Sequence, residues 1–158
     1  MIGVKSYVVG FMLDPTLTRV VLIRKNRPAA QVGKLNGVGG KVEQDETPLA
    51  AMSREFHEET GVETTGWKLF AVYNGGDLAV PGSLFEIYMY WIIGDVKQPK
   101  TITDEEVHIV DIESLSGRLD KMSNLSWLVQ MALGLIRHDR ETRFFDIQER
   151  YTCLEDVQ

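Results

Sequence analysis

The stretch "GKVEQDETPLAAMSREFHEETGV", residues 40–62, decides how this chain is interpreted, because it combines a complete helix signal with a dense cluster of acids. Thr47 suits the N-cap, and Pro48 suits the first helical position, where its missing N–H costs nothing. Gly61 is a natural C-terminal stop. The stretch therefore predicts one helix over residues 48–60.

One face of this predicted helix is apolar. Leu49, Met52 and Phe56 follow the i, i+3, i+7 rule of an amphipathic helix. We expect these three side chains to form the buried stripe of the helix.

The adjoining face carries three glutamates, Glu55, Glu58 and Glu59, within roughly one-third of the helix circumference. Like charges at this spacing repel, and the helix macrodipole disfavours acids near the C-terminus. Arg54, four residues before Glu58, is the only permanent cation near them, and the small Ala51 leaves room for a ligand. A solvated acidic face is the simplest explanation for such a set. Hard divalent cations want several oxygen ligands, however, so Mg²⁺ or Mn²⁺ would turn the repulsion into coordination.

The segment "NGVGGK" just upstream contributes three glycines, Gly37, Gly39 and Gly40. Glycine lets the backbone approach a ligand closely and expose its N–H or C=O groups. Most glycine-rich turns are only turns. The segment is not a P-loop, because no Lys-Ser/Thr pair follows at the required position.

The rest of the chain alternates strand and helix signals. Turn residues separate the first two alternating segments, "SYVVGFML" and "RVVLIRK", and predict that these form a hairpin. We also expect a short strand near residues 35–38, three later strands, and a last short strand within residues 142–151. The predicted strand segments are "SYVVGFML", "RVVLIRK", "WKLFAVYNG", "SLFEIYMYWIIGDV", "VHIVDI" and "TRFFDIQERY". This order predicts a mixed α/β fold.

A second helix is predicted over "SNLSWLVQMALGLIRH", with Ser123 or Asn124 as its cap. Leu128, Met131 and Leu135 repeat the i, i+3, i+7 spacing and are expected to form its core face.

Charge and cysteine content narrow the functional classes. The net charge is −6, and affinity for the phosphate backbone rests on Lys and Arg, so we expect no nucleic acid polymer as partner. No segment is long and apolar enough to span a bilayer, so no membrane association is expected. A single cysteine, Cys153, excludes an internal disulfide framework and fits a cytoplasmic location; we interpret it as an incidental thiol.

The spacing of the fixed residues in the opening stretch resembles the Nudix box, the signature of the Nudix hydrolases. The matching residues are Gly40, Glu46, Arg54-Glu55-Phe56, Glu58-Glu59 and Gly61-Val62. The resemblance implies one Nudix domain over residues 1–158, built as an α/β/α sandwich with a mixed β-sheet between helices.

The resemblance also implies an activity, the hydrolysis of a nucleoside diphosphate linked to another group, with Mg²⁺ or Mn²⁺ as cofactor. It implies that the metal is held by the carbonyl of Gly40 and the carboxylates of Glu55, Glu58, Glu59 and an acid from a later loop. In "TDEEV" that acid is Glu105 or Glu106, and we favour Glu105. Arg54 is expected to orient one of the acids, and Glu46 to support the site. Glu55 is the first candidate for the general base and Glu105 the second.

The segment "GKLNGVGGKVE" resembles the MutT-like branch, which hydrolyses purine nucleoside triphosphates, including oxidised ones, to the monophosphate and pyrophosphate. There Asn36 is expected to contact the base. Asn124 is a second candidate for that contact, although a plain helix cap explains it equally well. The cations that could meet the phosphates are Arg24, Lys25, Arg27 and Lys41.

Two other functions remain open from the sequence. The first is an ADP-ribose or nucleotide-sugar pyrophosphatase. The second is a Nudix-fold nucleotide-binding module without catalysis, although such proteins commonly lose box acids that this chain keeps. In each case the partner is a small-molecule nucleotide, and the protein is expected to be a monomer or a homodimer.

Overall fold

A computed structural model describes residues 3–77, 83–139 and 145–148 of the chain. The described strands and helices are, in chain order, β1 Lys5–Leu13, β2 Arg19–Arg24, β3 Leu35–Asn36, β4 Val38–Lys41, α1 Pro48–Thr60, β5 Lys68–Asp77, β6 Ser83–Ile93, β7 Glu106–Asp111, α2 Leu125–Arg137 and β8 Phe145–Gln148. Within these residues no helix has the length and apolar character needed to cross a membrane.

The strands form one mixed sheet in the order β3-β2-β1-β6-β5-β8, with β4 paired to β1 and β7 paired to β2. Strand β1 is the branch point of this sheet. It runs parallel to β6 over its whole length, while its other edge pairs antiparallel with β4 and then, at Met12 and Leu13, with β2. The glycine-rich strand β4 is thereby placed under α1 and next to the loop that follows β2.

Two apolar cores lie on opposite faces of the sheet. The core beside α1 joins Met52 and Phe56 to Trp67, whose ring meets the Phe56 ring edge-on with centroids 5.2 Å apart. The core beside α2 joins Leu128 and Ala132 to strand residues of the other face. The predicted sandwich, with a mixed sheet between helices, is therefore confirmed.

The first helix begins and ends where the sequence predicts. The Thr47 hydroxyl accepts a hydrogen bond from the Ala50 backbone N–H at 3.2 Å. Gly61 adopts a left-handed conformation with φ of 78°, and its N–H bonds the His57 carbonyl at 2.8 Å. A left-handed φ favours glycine over residues with a side chain, so Gly61 defines the end of the helix.

The prediction of the buried stripe was wrong for one residue, Leu49. Met52 and Phe56 are fully buried, but Leu49 is 48% exposed. Burial of this helix begins only at Ala51, so the described residues leave the side chains of its first turn largely uncovered. Thr60 takes the third buried position, and its hydroxyl donates to the Phe56 carbonyl at 2.6 Å.

The second helix follows the prediction in outline. Leu128 and Leu135 are buried, whereas Met131 is only partly buried against the same core. Asn124 occupies the N-cap position, but its side chain makes no capping hydrogen bond.

Two further segments refine the predicted strands. The short strand expected near residues 35–38 is two strands interrupted at Gly37, where a side chain would overlap Val9 and Phe11. The last predicted strand is confirmed for Phe145–Gln148, and the rest of that segment and Cys153 lie outside the described residues.

Candidate active site

A cavity of about 810 Å³ opens where β4, α1 and the loops after β2 and before β7 meet. Its walls differ in chemical character. The polar lining consists of the acids Glu55, Glu59 and Glu105, the cations Lys25, Arg27 and Lys41, and the amides Gln31 and Asn36. The remaining lining consists of Gly37, Gly39, Gly40, Pro28, Tyr7, Val8, Val9, Phe85 and Ile87.

Arg54 organises the acidic wall, because all five N–H groups of its guanidinium are used. Nε and Nη2 donate to the two carboxylate oxygens of Glu46 at 2.8 and 3.0 Å. Nη1 donates to Glu55 at 2.9 Å and to Glu58 at 3.2 Å, and Nη2 also donates to the Lys41 carbonyl at 3.0 Å. The hydrogen bonds from this guanidinium hold the pKa of Glu46 below its usual value. Arg54 thus fixes the acids of the helix to the end of β4.

Glu55 lies against the backbone of Gly40. A methyl group placed on Gly40 would overlap the Glu55 carboxylate, so a side chain there would displace that acid. Burial raises the pKa of Glu55, although the neighbouring Arg54 acts in the opposite direction. The position of Glu55 therefore requires a glycine at residue 40.

Glu59 is the least satisfied acid of the site. Its Oε2 atom is buried and has no hydrogen-bond partner among the described residues. The pKa of Glu59 is raised to about 8, mainly by burial and also by the carboxylates of Glu105 and Glu55, although Lys25 and the Gly39 backbone act in the opposite direction. A buried carboxylate oxygen without a partner is costly unless a cation reaches it.

Glu105 enters the cavity from the loop before β7 and is held by two groups of the loop after β2. Lys25 Nζ donates to one carboxylate oxygen and the Asn26 backbone N–H to the other, both at 2.9 Å. The adjacent Asp104 accepts from Asn26 Nδ2 and from Arg27 Nη2, also at 2.9 Å. These contacts join the two loops and place a third acid beside Glu59.

The alternative acid of that loop points elsewhere. Glu106 is exposed and lies 3.2 Å from His108 Nε2, and it is not part of the cavity lining. Glu105, with a side chain only 3% exposed, is the acid that reaches the cavity.

The structure therefore brings together most of the residues that the sequence singled out, but not all. Glu58 has a side chain that is 56% exposed at the edge of the acidic wall. Arg24 and Asn124 do not line the cavity; Arg24 bonds the Gly33 carbonyl and Asp120 instead. Asn36 does line it, and its Oδ1 accepts the Gly37 N–H at 2.9 Å.

Sequence reasoning missed the apolar wall of the cavity. Tyr7 and Val9 of β1 share this wall with Phe85 and Ile87 of β6, since β1 and β6 pair in parallel and Tyr7 lies opposite Ile87. The Phe85 ring stacks on Tyr73 with centroids 6.3 Å apart and planes 9° apart. The alternation of each strand was visible in the sequence, but the pairing of two strands so far apart in the chain was not.

The donor set fits a hard divalent cation. Within the described ranges, no three acidic, histidine or cysteine side chains already stand close enough to enclose an ion. The buried Glu59 Oε2 nevertheless lacks a partner, and Glu55 and Glu105 influence its pKa from the same cavity. All of these donors are oxygens, which Mg²⁺ and Mn²⁺ prefer.

Comparison with known proteins agrees with the Nudix box of residues 40–62. A family model of the NUDIX domain matches residues 5–127. The chain belongs to the NUDIX family. No curated protein sequence matches the chain.

Several solved structures share the fold at low sequence identity. A MutT protein from Bacillus halodurans is 16% identical with a TM-score of 0.68, covering 92% of this chain and 90% of that one. A MutT NUDIX hydrolase from Burkholderia pseudomallei is 21% identical with a TM-score of 0.63, covering 84% and 97%. The NUDIX domain of Shewanella oneidensis NrtR, solved with ADP ribose, is 13% identical with a TM-score of 0.69, covering 85% and 89%.

Proposed function

We propose that this protein is a metal-dependent Nudix hydrolase that cleaves a pyrophosphate bond in a small nucleotide, most specifically a purine (d)NTP, oxidised purines included, to the monophosphate and pyrophosphate. The observation that carries the proposal is the Oε2 atom of Glu59, which has no hydrogen-bond partner among the described residues and is buried in a cavity that Glu55 and Glu105 also enter. Such an arrangement is costly in a protein that binds no cation. The same cavity carries Lys25, Arg27 and Lys41, which are suited to phosphate oxygens.

The cation site is proposed at the acidic wall. Glu55, Glu58, Glu59 and Glu105 would hold Mg²⁺ or Mn²⁺ together with the Gly40 carbonyl. The chemistry that such an ion supplies is neutralisation of charge on the phosphate oxygens and greater acidity of water nearby. Arg54 and Glu46 hold the acids in place from behind.

Proton removal from the attacking water is assigned to Glu55, with Glu105 as the second candidate. Burial raises the pKa of Glu55, which makes its carboxylate a stronger base than an exposed one. Glu105 already has both carboxylate oxygens engaged by Lys25 and the Asn26 backbone. Glu55 is therefore the better candidate for the base.

The nucleotide is oriented by the contrast between the two ends of the cavity. The phosphates would lie at the end lined by the acids and by Lys25, Arg27 and Lys41, where the proposed cation would bind. The base belongs at the end formed by Phe85, Ile87 and the amide of Asn36, which combines apolar surface with a polar group. In this proposal the substrate is a free nucleotide and the protein works in the cytoplasm. It acts there as a monomer or a homodimer.

ADP-ribose is the second candidate substrate. The specific observation in its favour is that one structure of the same fold, with a TM-score of 0.69, was solved with ADP ribose. Both candidates contain a purine nucleoside diphosphate, so they share the metal site and differ in the group beyond the second phosphate.

Product analysis separates these functions. The protein is incubated with Mg²⁺ and, in separate reactions, dGTP, 8-oxo-dGTP, other dNTPs, ADP-ribose and dinucleoside polyphosphates. Nucleoside monophosphate plus pyrophosphate from a dNTP supports the first proposal, and AMP plus ribose phosphate supports the second. Binding of nucleotide without turnover of any compound would instead indicate a binding module.

A further inference from the structure

Asp120 joins two arginines beside the cavity wall. Arg118 grips its carboxylate with both Nε and Nη2, at 2.9 and 2.7 Å, and Arg24 Nη2 donates to it at 3.2 Å. The other terminal nitrogen of Arg24 donates to the Gly33 carbonyl at 2.7 Å. We call Arg24, Arg118 and Asp120 the aspartate clamp.

The backbone of Asp120 extends this link to the cavity. Its carbonyl accepts the Leu35 N–H at 2.8 Å, and the Leu35 carbonyl accepts the Met122 N–H at 2.9 Å. Segment 120–122 therefore runs alongside Leu35, which is fully buried. The next residue is Asn36, which lines the cavity.

The clamp also contacts the base of the loop formed by residues 25–34. Two hydrogen bonds of 2.8 Å, from the Lys25 N–H to the Lys34 carbonyl and from the Gly33 N–H to the Lys25 carbonyl, form the base of this loop. The bond from Arg24 to Gly33 is at this same base. The loop carries Arg27 and other residues of the cavity wall. Asp120 thus contacts both elements: its carboxylate holds Arg24 at the base of the basic loop, and its backbone carbonyl bonds the strand that presents Asn36.

We infer that the aspartate clamp is a positioning device that sets the affinity for the nucleotide, and that Arg24 acts through Asp120 and not by contact with phosphate. This inference rests on the proposed function for its kinetic consequences. Arg24 does not line the cavity, and its guanidinium is engaged by Asp120 and Gly33. The clamp side chains are partly exposed, at 29% for Arg24, 33% for Arg118 and 40% for Asp120. Ion pairs that water reaches contribute little to global stability, so loss of the clamp should loosen the wall without unfolding the protein.

A double-mutant cycle tests the inference with Asp120→Asn, Arg24→Met and the combination of both. Each single variant should raise KM on the order of fivefold while kcat stays within about twofold, and the double variant should resemble either single one. Arg24→Lys should behave like Arg24→Met, because an ammonium cannot bond Asp120 and Gly33 as a guanidinium fork does. Asp120→Glu should restore part of the affinity. Asp111→Asn serves as the matched control, because Asp111 is exposed, does not line the cavity, and lies at the opposite end of the paired strands β2 and β7 from Arg24.

Two kinetic outcomes would overturn the inference. If Arg24→Met raises KM while Asp120→Asn does not, Arg24 contacts the nucleotide directly. If neither substitution changes KM, the clamp is only structural.

Hydrogen exchange gives a second readout that does not need turnover. Amide exchange across residues 25–36 should accelerate in Asp120→Asn and Arg24→Met but not in Asp111→Asn. If the wild type hydrolyses no nucleotide, the proposed function fails, and the exchange data still decide whether the clamp fixes the wall. Unchanged exchange in both clamp variants would refute the positioning role in either case.

Discussion

Replacing Glu59 with glutamine should stabilise the metal-free protein, and the gain should grow as the pH rises. Burial raises the pKa of Glu59 from 4.5 to about 8 in the folded protein. The folded state therefore keeps this proton to a higher pH than the unfolded state does. By linkage, the ionisation of Glu59 removes stability progressively as the pH rises from about 4.5 to about 8. Glutamine has no proton to lose, so Glu59→Gln should escape this loss.

The size of the effect follows from the pKa. The full change from 4.5 to about 8 corresponds to at most about 5 kcal/mol. Between about pH 5.5 and about pH 8.5, the pH-dependent part of the difference between the two proteins is at most about 3 kcal/mol. Any constant effect of the amide cancels in this comparison. A difference of this size is readily measured in a domain whose total stability is about 5–15 kcal/mol.

Urea denaturation at about pH 5.5 and about pH 8.5, followed by tryptophan fluorescence in EDTA, measures this difference. Glu63→Gln is the matched control, because Glu63 is exposed just beyond the helix. Addition of Mg²⁺ at the higher pH should narrow the gap, because the cation stabilises the ionised wild type more than a variant that has lost one of the four carboxylates. Equal pH dependence of Glu59→Gln and wild type in EDTA would refute the account of a buried, unpartnered carboxylate.

Three further predictions follow from the same contacts. Mg²⁺ should raise the melting temperature of the wild type more than that of Glu58→Gln, as scanning calorimetry measures; an unchanged wild-type value would argue against a cation site at these acids. Arg54→Met should lower the free energy of unfolding by about 3 kcal/mol in urea titrations, because it leaves the Glu46 and Glu55 carboxylates unpaired, and a loss below about 1 kcal/mol would contradict the five-bond arrangement. Lys25→Met should lower kcat on the order of tenfold by releasing Glu105; a change in KM alone would mean that Lys25 serves only the phosphates.

The sequence predicted the helix of the box because its signals are local. Thr47, Pro48 and Gly61 act within one turn of themselves, and all three occupy the predicted positions. The predicted burial of Leu49 was wrong, because burial depends on which other elements cover a helix turn. The periodicity of a sequence does not contain that information.

Only the part of the candidate site that lies on one helix was predictable from the sequence. The spacing of Glu55 and Glu59 predicted that both lie on one face of the helix, and both line the cavity. The hydrogen bond of Arg24 to Asp120 and the wall formed by Phe85 were not predictable, since each depends on a partner distant in the sequence, namely Asp120 and the paired strand β1.

The central claim is that the acidic wall of the cavity is a metal-dependent hydrolytic site, and pyrophosphate release from purine dNTPs tests it most directly. Release is measured for the wild type with Mg²⁺, with EDTA, and for Glu58→Gln with Mg²⁺. The account predicts full turnover in the first reaction, none in EDTA, and turnover reduced on the order of a hundredfold in Glu58→Gln. Equal activity of Glu58→Gln and wild type, or activity that persists in EDTA, would contradict it.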